Sequence, residues 1–213
     1  MTHAMTAGLA LMLALGGLTA CKIVPDPDPE TTAAPMDDAQ RMAQLAGQIF
    51  DDKLVPFVAE HAVDTATSKS ALAGGLDAAG TAHGVRPGSE GSPWNFLLAD
   101  QGSVVAADRE SRAANMVLDT DGDGQGDVTV QLGPVIRGTS LRDAADFLVF
   151  TDFRDQIEFA KLARALNDAA FERITLPEGD LTGMIFQFQG AATLRSAGDD
   201  IVIVPTMLQQ VTP

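Results

Sequence analysis

Residues 103–132 read Ser103-Val-Val-Ala-Ala-Asp-Arg-Glu-Ser-Arg-Ala113-Ala-Asn-Met-Val-Leu-Asp-Thr-Asp121-Gly-Asp-Gly-Gln-Gly-Asp-Val-Thr-Val-Gln-Leu132. Three β-rich runs, 103–107, 113–118 and 128–132, are separated here by two polar turns. In the third run Val128, Val130 and Leu132 share a face, with Thr129 and Gln131 opposite, the period of two expected of a half-buried strand. Downstream, Gly133-Pro134 ends the meander and a short helical turn is expected near 139–147. A long amphipathic helix is expected over 152–172, with Phe153, Ile157 and Ala160, and Phe159, Leu162 and Leu166, at helical spacing. Gln156, Glu158 and Asn167 read as its polar edge. Two more strands, near 184–191 and 201–207, close the chain, joined by Ser196-Ala-Gly-Asp-Asp200. Upstream, Trp94, Phe96 and Leu98 alternate ahead of an expected turn at Asp100-Gln-Gly102, which makes an additional strand.

Three strands, a helix and two strands is the order of an oligonucleotide/oligosaccharide-binding (OB) barrel. The expected class is therefore α+β: an OB-like small β-barrel over residues 93–213, with an N-terminal helical extension over 37–92. The 152–172 helix should plug or flank the barrel, with Phe153, Ile157, Leu162 and Leu166 against Val128, Val130 and Ile203. A general α+β sheet with one long helix is the alternative. The extension opens on a capping box, Asp37 with Gln40 three residues on. Met42, Leu45, Ala46, Ile49 and Phe50 then share a face, and Pro56 should kink or end the helix near Val55. A second helix begins near Asp64 and is interrupted by Gly74-Gly75.

The first twenty residues hold no Lys, Arg, Asp or Glu, and 7–20 are almost all Leu, Ala, Gly and Met. That stretch has the length of a signal-peptide apolar region and is too short to span a bilayer unaided. It ends in Leu18-Thr-Ala-Cys21, which resembles the lipobox of bacterial lipoproteins. The resemblance implies cleavage before Cys21, a lipid on its sulfur, and palmitate-type acylation of the new amino terminus; several chains anchor stably where one does not. Residues 21–36 carry prolines at 25, 27, 29 and 35 among acids, a hydrated tether that at about 3.1 Å per residue could reach about 45 Å. Cys21 is the only cysteine, so an acylated chain has no thiol nucleophile, disulfide or cysteine metal site. The net charge of −15 disfavours nucleic acid as a partner. Tyrosine is absent and Trp94 is the only tryptophan, which leaves few rings for stacking sugars.

The sharpest local pattern is Asp119-Thr-Asp121-Gly-Asp123-Gly-Gln125-Gly-Asp127. Alternate acids in a tight loop aim carboxylates at one point, the Gly124 position permits a sharp turn, and Gln125 can add a carbonyl. Calcium wants six to eight such oxygens. Asp119, Asp121, Asp123, Gln125 and Asp127 are accordingly the candidate ligands of a structural calcium ion. The loop departs from an EF-hand, since Val130 stands where the bidentate Glu belongs. The alternative is a solvated acidic turn. In Gly133-Pro-Val-Ile-Arg137-Gly-Thr139-Ser-Leu-Arg142-Asp143, two arginines and a helix start offer an anion site at Arg137, Thr139 and Arg142. The competing reading is internal ion pairs with Asp143 or Asp146. His61 and His83 match no metal or triad motif, and no nucleophile elbow, phosphate loop or dinucleotide fingerprint is present. No catalytic residue is expected.

Cys21-Lys-Ile-Val-Pro, Gly91-Ser-Pro-Trp94, the Asp-rich hairpin, 133–143, Gln156-Ile-Glu-Phe-Ala160 and Ala165-Leu-Asn167 together resemble a family of periplasmic lipoproteins, domain of unknown function 2291. The likeness covers nearly the whole mature chain. It implies no catalytic residues, because the family has none assigned. By the company its members' genes keep, it implies an accessory role beside a sugar-type ABC transporter, with a transporter component or solute-binding protein as partner. Lys22 after the cysteine resembles the signals that permit transfer to the outer membrane, which is favoured over the inner. The alternative function is a hydrolase or transferase using a divalent metal held by the Asp119–Asp127 loop.

Overall fold

A computed structural model describes residues 36–88 and 91–211. The signal peptide, Cys21 and the tether as far as residue 35 lie outside the described residues.

Helices α1 (Asp38–Ile49), α2 (Val55–His61), α3 (Thr65–Ala73) and α4 (Leu76–His83) come first. Strands β1 (Gly84–Val85), β2 (Trp94–Asp108), β3 (Ala113–Asp119) and β4 (Val128–Pro134) follow. Then come α5 (Ser140–Ala144), α6 (Gln156–Arg173), β5 (Ile185–Leu194) and β6 (Ile201–Val211). The expected capping box forms: Asp37 accepts from the Gln40 N–H at 2.8 Å, and Gln40 accepts in return from the Asp37 N–H at 3.0 Å. Pro56 does not end the helical path. A π turn at Phe50–Leu54, in which the Val55 N–H reaches the Phe50 carbonyl, precedes it, and the chain stays helical to His61. Gly74 and Gly75 break the second helix into α3 and α4, with Gly75 at φ 106°.

The strands close into a ring, β2-β3-β4-β6-β5 and back to β2, with β1 an edge addition. All contacts round the ring are antiparallel except β4 with β6, where Val128, Thr129 and Val130 pair with Ile201, Val202 and Ile203. The turn expected at Asp100–Gly102 is absent, because Trp94–Asp108 is one strand serving two neighbours. Its first part pairs with β5, from Trp94↔Leu194 to Ser103↔Ile185, and its end pairs with β3, from Ser103↔Asp119 to Asp108↔Asn115. Gly102 stands where the neighbours change. A Cβ there would lie 2.6 Å from the Asp119 carbonyl oxygen, so this glycine marks the close approach of two backbones.

Alternation along the strands divides the apolar residues between two cores. Phe96, Leu98, Met116, Leu118, Val128, Val130, Phe186, Phe188 and Ile203 fill the barrel, joined by Leu72 and Ala79 of α3 and α4. Leu97, Ala191 and Val204 point outward and meet Met42, Phe50, Leu54, Leu141, Leu162 and Leu166 in a second core. So α6 flanks the barrel wall. Leu162 and Leu166 are fully buried there, not against Val128, Val130 and Ile203 as the sequence reading had it. Ile157 is 65% exposed, and Phe153 lies before the helix, its ring 5.0 Å from that of Phe159. The buried face instead runs through Glu158, Leu162, Leu166 and Ala169, from which Ile157 is turned away. Glu158 and Asn167, read as polar edge, therefore lie on the buried face. Asp38 pairs with Arg154 at 2.5 Å near the start of α6, and Asp51 with Arg173 at 2.7 Å at its end, which sets α1 and α6 side by side and parallel.

Candidate functional site

Asn115 of β3 and Thr129 and Gln131 of β4 face away from the barrel core. Asn115 sits directly across from Gln131, and Thr129 is two residues along. With Thr193, Arg195, Val202, the loop residues Arg137 and Gly138, and Ser140 at the start of α5, they line an open cleft of about 350 Å³. Gln131 stitches the loop to the sheet. Its Oε1 accepts from the Arg137 N–H at 2.8 Å and its Nε2 donates to the Arg137 carbonyl at 3.0 Å. The Ser140 hydroxyl donates to the Ala191 carbonyl at 3.0 Å and fixes the other end of the loop. Among the described residues, neither Arg137 nor Arg195 has a carboxylate within ion-pair reach. The cleft thus offers carboxamides, hydroxyls and two free guanidinium groups, which can hold a polar or anionic partner in a fixed orientation.

The rest of the 137–143 segment is internally satisfied. Arg142 donates to Asp143 at 2.7 Å and to the Phe159 carbonyl at 3.1 Å, and lies 4.0 Å over the Phe159 ring. The Thr139 hydroxyl donates to Asp143 at 2.6 Å. Arg137, Thr139 and Arg142 therefore do not converge on one point: Arg137 lines the strand-face cleft while Arg142 and Thr139 share Asp143. Helix α5, five residues long, leaves little dipole to hold an anion.

The acidic loop joins β3 to β4. The Asp119 carboxylate is buried among backbone donors, accepting from Gly124 at 2.8 Å, Gly122 at 2.7 Å and Asp121 at 3.2 Å, and these bonds lower its pKa. Burial opposes the charged form of Asp127. The Lys69 ammonium and two bonds from Thr120 outweigh it and hold the carboxyl at about 2. Carboxylate oxygens of Asp119, Asp121 and Asp127 lie within 4.8 Å of one another. Asp123 stands outside that trio and accepts from the Gln125 N–H at 2.7 Å. Lys69 of α3 reaches into the group, bonded to Asp127 and 3.8 Å from Asp121. The repulsion that the pattern implies is thus relieved in part by an ammonium and by backbone N–H groups. His61 closes α2 with its ring stacked 4.4 Å from Phe57, and His83 closes α4.

The sequence reading missed the strand-face residues Asn115, Gln131 and Arg195. For Asn115 and Gln131 the available signal was an outward position on runs already read as strands; Arg195 follows β5 in the loop to β6 and carried none.

A closed five-strand ring of this order, with one parallel contact and a helix before its last two strands, is an OB-fold barrel. It is similar to an OB-fold protein from Thermotoga maritima, at a TM-score of 0.66 and 17% identity, over 83% of this chain and 99% of that one. No curated protein matches. The chain belongs to the predicted periplasmic lipoproteins of family DUF2291, whose model matches residues 11–209. It is accordingly a lipid-anchored protein of the periplasm, of a family without an assigned function.

Proposed function

We propose that this lipoprotein is a non-enzymatic accessory factor that binds a component or solute of a periplasmic transport system, of the sugar-type ABC class. The observation that carries the reading is the strand-face cleft. Its lining of Asn115, Gln131, Thr129, Ser140, Arg137 and Arg195 recognises rather than reacts, and no carboxylate, histidine or thiol is among it. The face lacks aromatic platforms, which favours a protein surface over a free neutral sugar as its occupant. A tether anchored at Cys21, in the outer membrane by the Lys22 reading, would give the barrel reach across the periplasm.

The acidic loop is proposed to hold calcium in a structural role, in competition with Lys69, supported by the three converging carboxylates. A metal-dependent hydrolase built on the same loop is the weaker reading, because Asp119 and Asp127 already accept five hydrogen bonds from the loop itself.

The experiment is crosslinking and affinity purification of the lipidated protein, with metabolite profiling of a deletion strain. A transport component among the partners and an altered solute pool are expected. Recovery of none, together with metal-dependent turnover lost in Asp123→Ala, reverses the reading.

A further inference from the structure

The starts of α1 and α6 lie side by side. Asp38, the first residue of α1, takes Arg154, just ahead of α6, at 2.5 Å and Lys161, in its second turn, at 3.4 Å. This end carries apolar side chains that the described residues leave uncovered. Seven large hydrophobic residues are exposed among those described, and four of them gather here. They are Met36, two residues ahead of α1, Val149 and Phe150 in the turn before α6, and Ile157 in the first turn of α6. The other three, Phe171, Ile185 and Val202, stand on three separate elements, as single exposed apolar residues commonly do.

The turn before α6 is a built one. The Asp152 N–H donates to the Val149 carbonyl at 3.0 Å and the Phe153 N–H to the Phe150 carbonyl at 3.1 Å. Phe150 leans edge-on against Phe159, ring centres 5.6 Å apart, and Phe153 lies against the same ring at 5.0 Å. Phe159 is held in turn under the Arg142 guanidinium at 4.0 Å. Val149 at 48% and Phe150 at 44% exposure are thus presented in a fixed pose, so a partner orders little on meeting them.

We infer that this end of the domain seats on the phospholipid surface of the membrane that holds the anchor. The reason is where the anchored segment arrives. Residues 22–35 join Cys21 to Met36, so the chain enters the domain at its apolar end, and the acyl chains lie no more than about 45 Å away. Val149, Phe150, Ile157 and Met36 enter the headgroup layer, the zone that takes aromatic and aliphatic side chains on an amphipathic surface. Within 146–155 three aspartates stand against one arginine, so the fitting surface is zwitterionic and not anionic lipid. Four side chains hold a free chain weakly. A short tether raises the local concentration of the surface to roughly millimolar, and a contact of about millimolar strength is then populated. A seat of that strength also opens readily, which leaves the domain able to reach a partner. The inference is independent of the transport reading.

The test uses the full lipidated chain in vesicles of phosphatidylethanolamine and phosphatidylcholine. Cys21 is the only cysteine and is acylated, so Val149→Cys supplies the one free thiol for a nitroxide label. Glu172→Cys, about 24 Å along α6 from its first residue, is the control. Each label reports its collisions with oxygen, which concentrates in lipid, relative to those with a water-soluble nickel chelate. That ratio should be at least three-fold higher at position 149 than at 172. Phe150→Asp/Ile157→Asp in the Val149→Cys chain should remove the difference. Both positions are exposed, so the variant keeps the fold, which Trp94 fluorescence checks. Equal ratios at 149 and 172, or a difference that survives Phe150→Asp/Ile157→Asp, overturn the inference. Shielding of position 149 from oxygen and nickel alike, growing with protein density on the vesicle, assigns the patch to a second copy and overturns it too.

Discussion

Lys69 of α3 sets its ammonium against the Asp127 carboxylate at the base of the β3–β4 hairpin, and so joins the helical layer to the barrel through one ion pair. The two partners are unequal. The Asp127 side chain is 5% exposed and that of Lys69 is 48% exposed, so the carboxylate depends on the ammonium more than the reverse.

That inequality predicts an acid-sensitive contribution to stability. The Asp127 carboxyl lies at about 2, below its ordinary 3.8. A group whose pKa is depressed on folding stabilises the protein above its unfolded pKa, and the contribution disappears as pH falls from about 4 to about 2. At 1.36 kcal/mol per unit, discounted for the exposed lysine, it amounts to roughly 1 to 2 kcal/mol. Lys69→Ala removes the ammonium's share and leaves the two Thr120 bonds, so it should be less stable than wild type by up to about that much at pH 6, with the gap closing near pH 2. Denaturant unfolding across pH 2–6, followed by Trp94 fluorescence, measures it. A gap of equal size at both ends assigns the effect to packing instead.

Calcium should act on the same group. An extracellular-type loop binds at around 10⁻⁴ to 10⁻³ M, and calcium at 100 times its dissociation constant should stabilise by about 2.7 kcal/mol. Asp121→Ala/Asp123→Ala should lose the effect. Lys69→Ala should bind more tightly, since it removes the competing cation. Melting temperatures that are equal with calcium and with chelator, in wild type and variants alike, reduce the loop to a charged turn.

Helix α6 supplies a contrast within one element. Leu166 is fully buried between the barrel wall and α1, so Leu166→Ala should cost about 2 to 5 kcal/mol. Ile157 is 65% exposed, and Ile157→Ala should change stability by no more than about 0.5 kcal/mol. Urea unfolding of the two variants decides it, and similar losses contradict the helix phase described above.

Lipidation at Cys21 should be visible in the intact protein. Mass spectrometry of membrane-extracted material should find a mature terminus at Cys21 carrying diacylglycerol and a further acyl chain. A terminus elsewhere, or release of wild-type protein as free soluble chain, contradicts the anchor.

The sequence by itself determined most of the element types and their order. Period-two alternation in 128–132, the capping residues Asp37 and Gln40, and the Gly74-Gly75 break are local signals, and local backbone chemistry decides them. From that order the OB class follows, and the lipobox is a contiguous motif legible without any fold. Only the tertiary structure decided which face each element buries and what meets across it. The 94–108 run is one strand rather than two because β5 and β3 hydrogen-bond to its successive parts, a long-range fact that outweighs the turn propensity of Asp100-Gln-Gly102. Two apolar stripes of α6 have equal helical spacing, and only the barrel wall selects the one through Leu162 and Leu166. The candidate cleft was illegible for the same reason. Asn115, Gln131, Arg137 and Arg195 come from two strands and two loops, and their meeting round one cleft is a property of packing, which no spacing in the chain encodes.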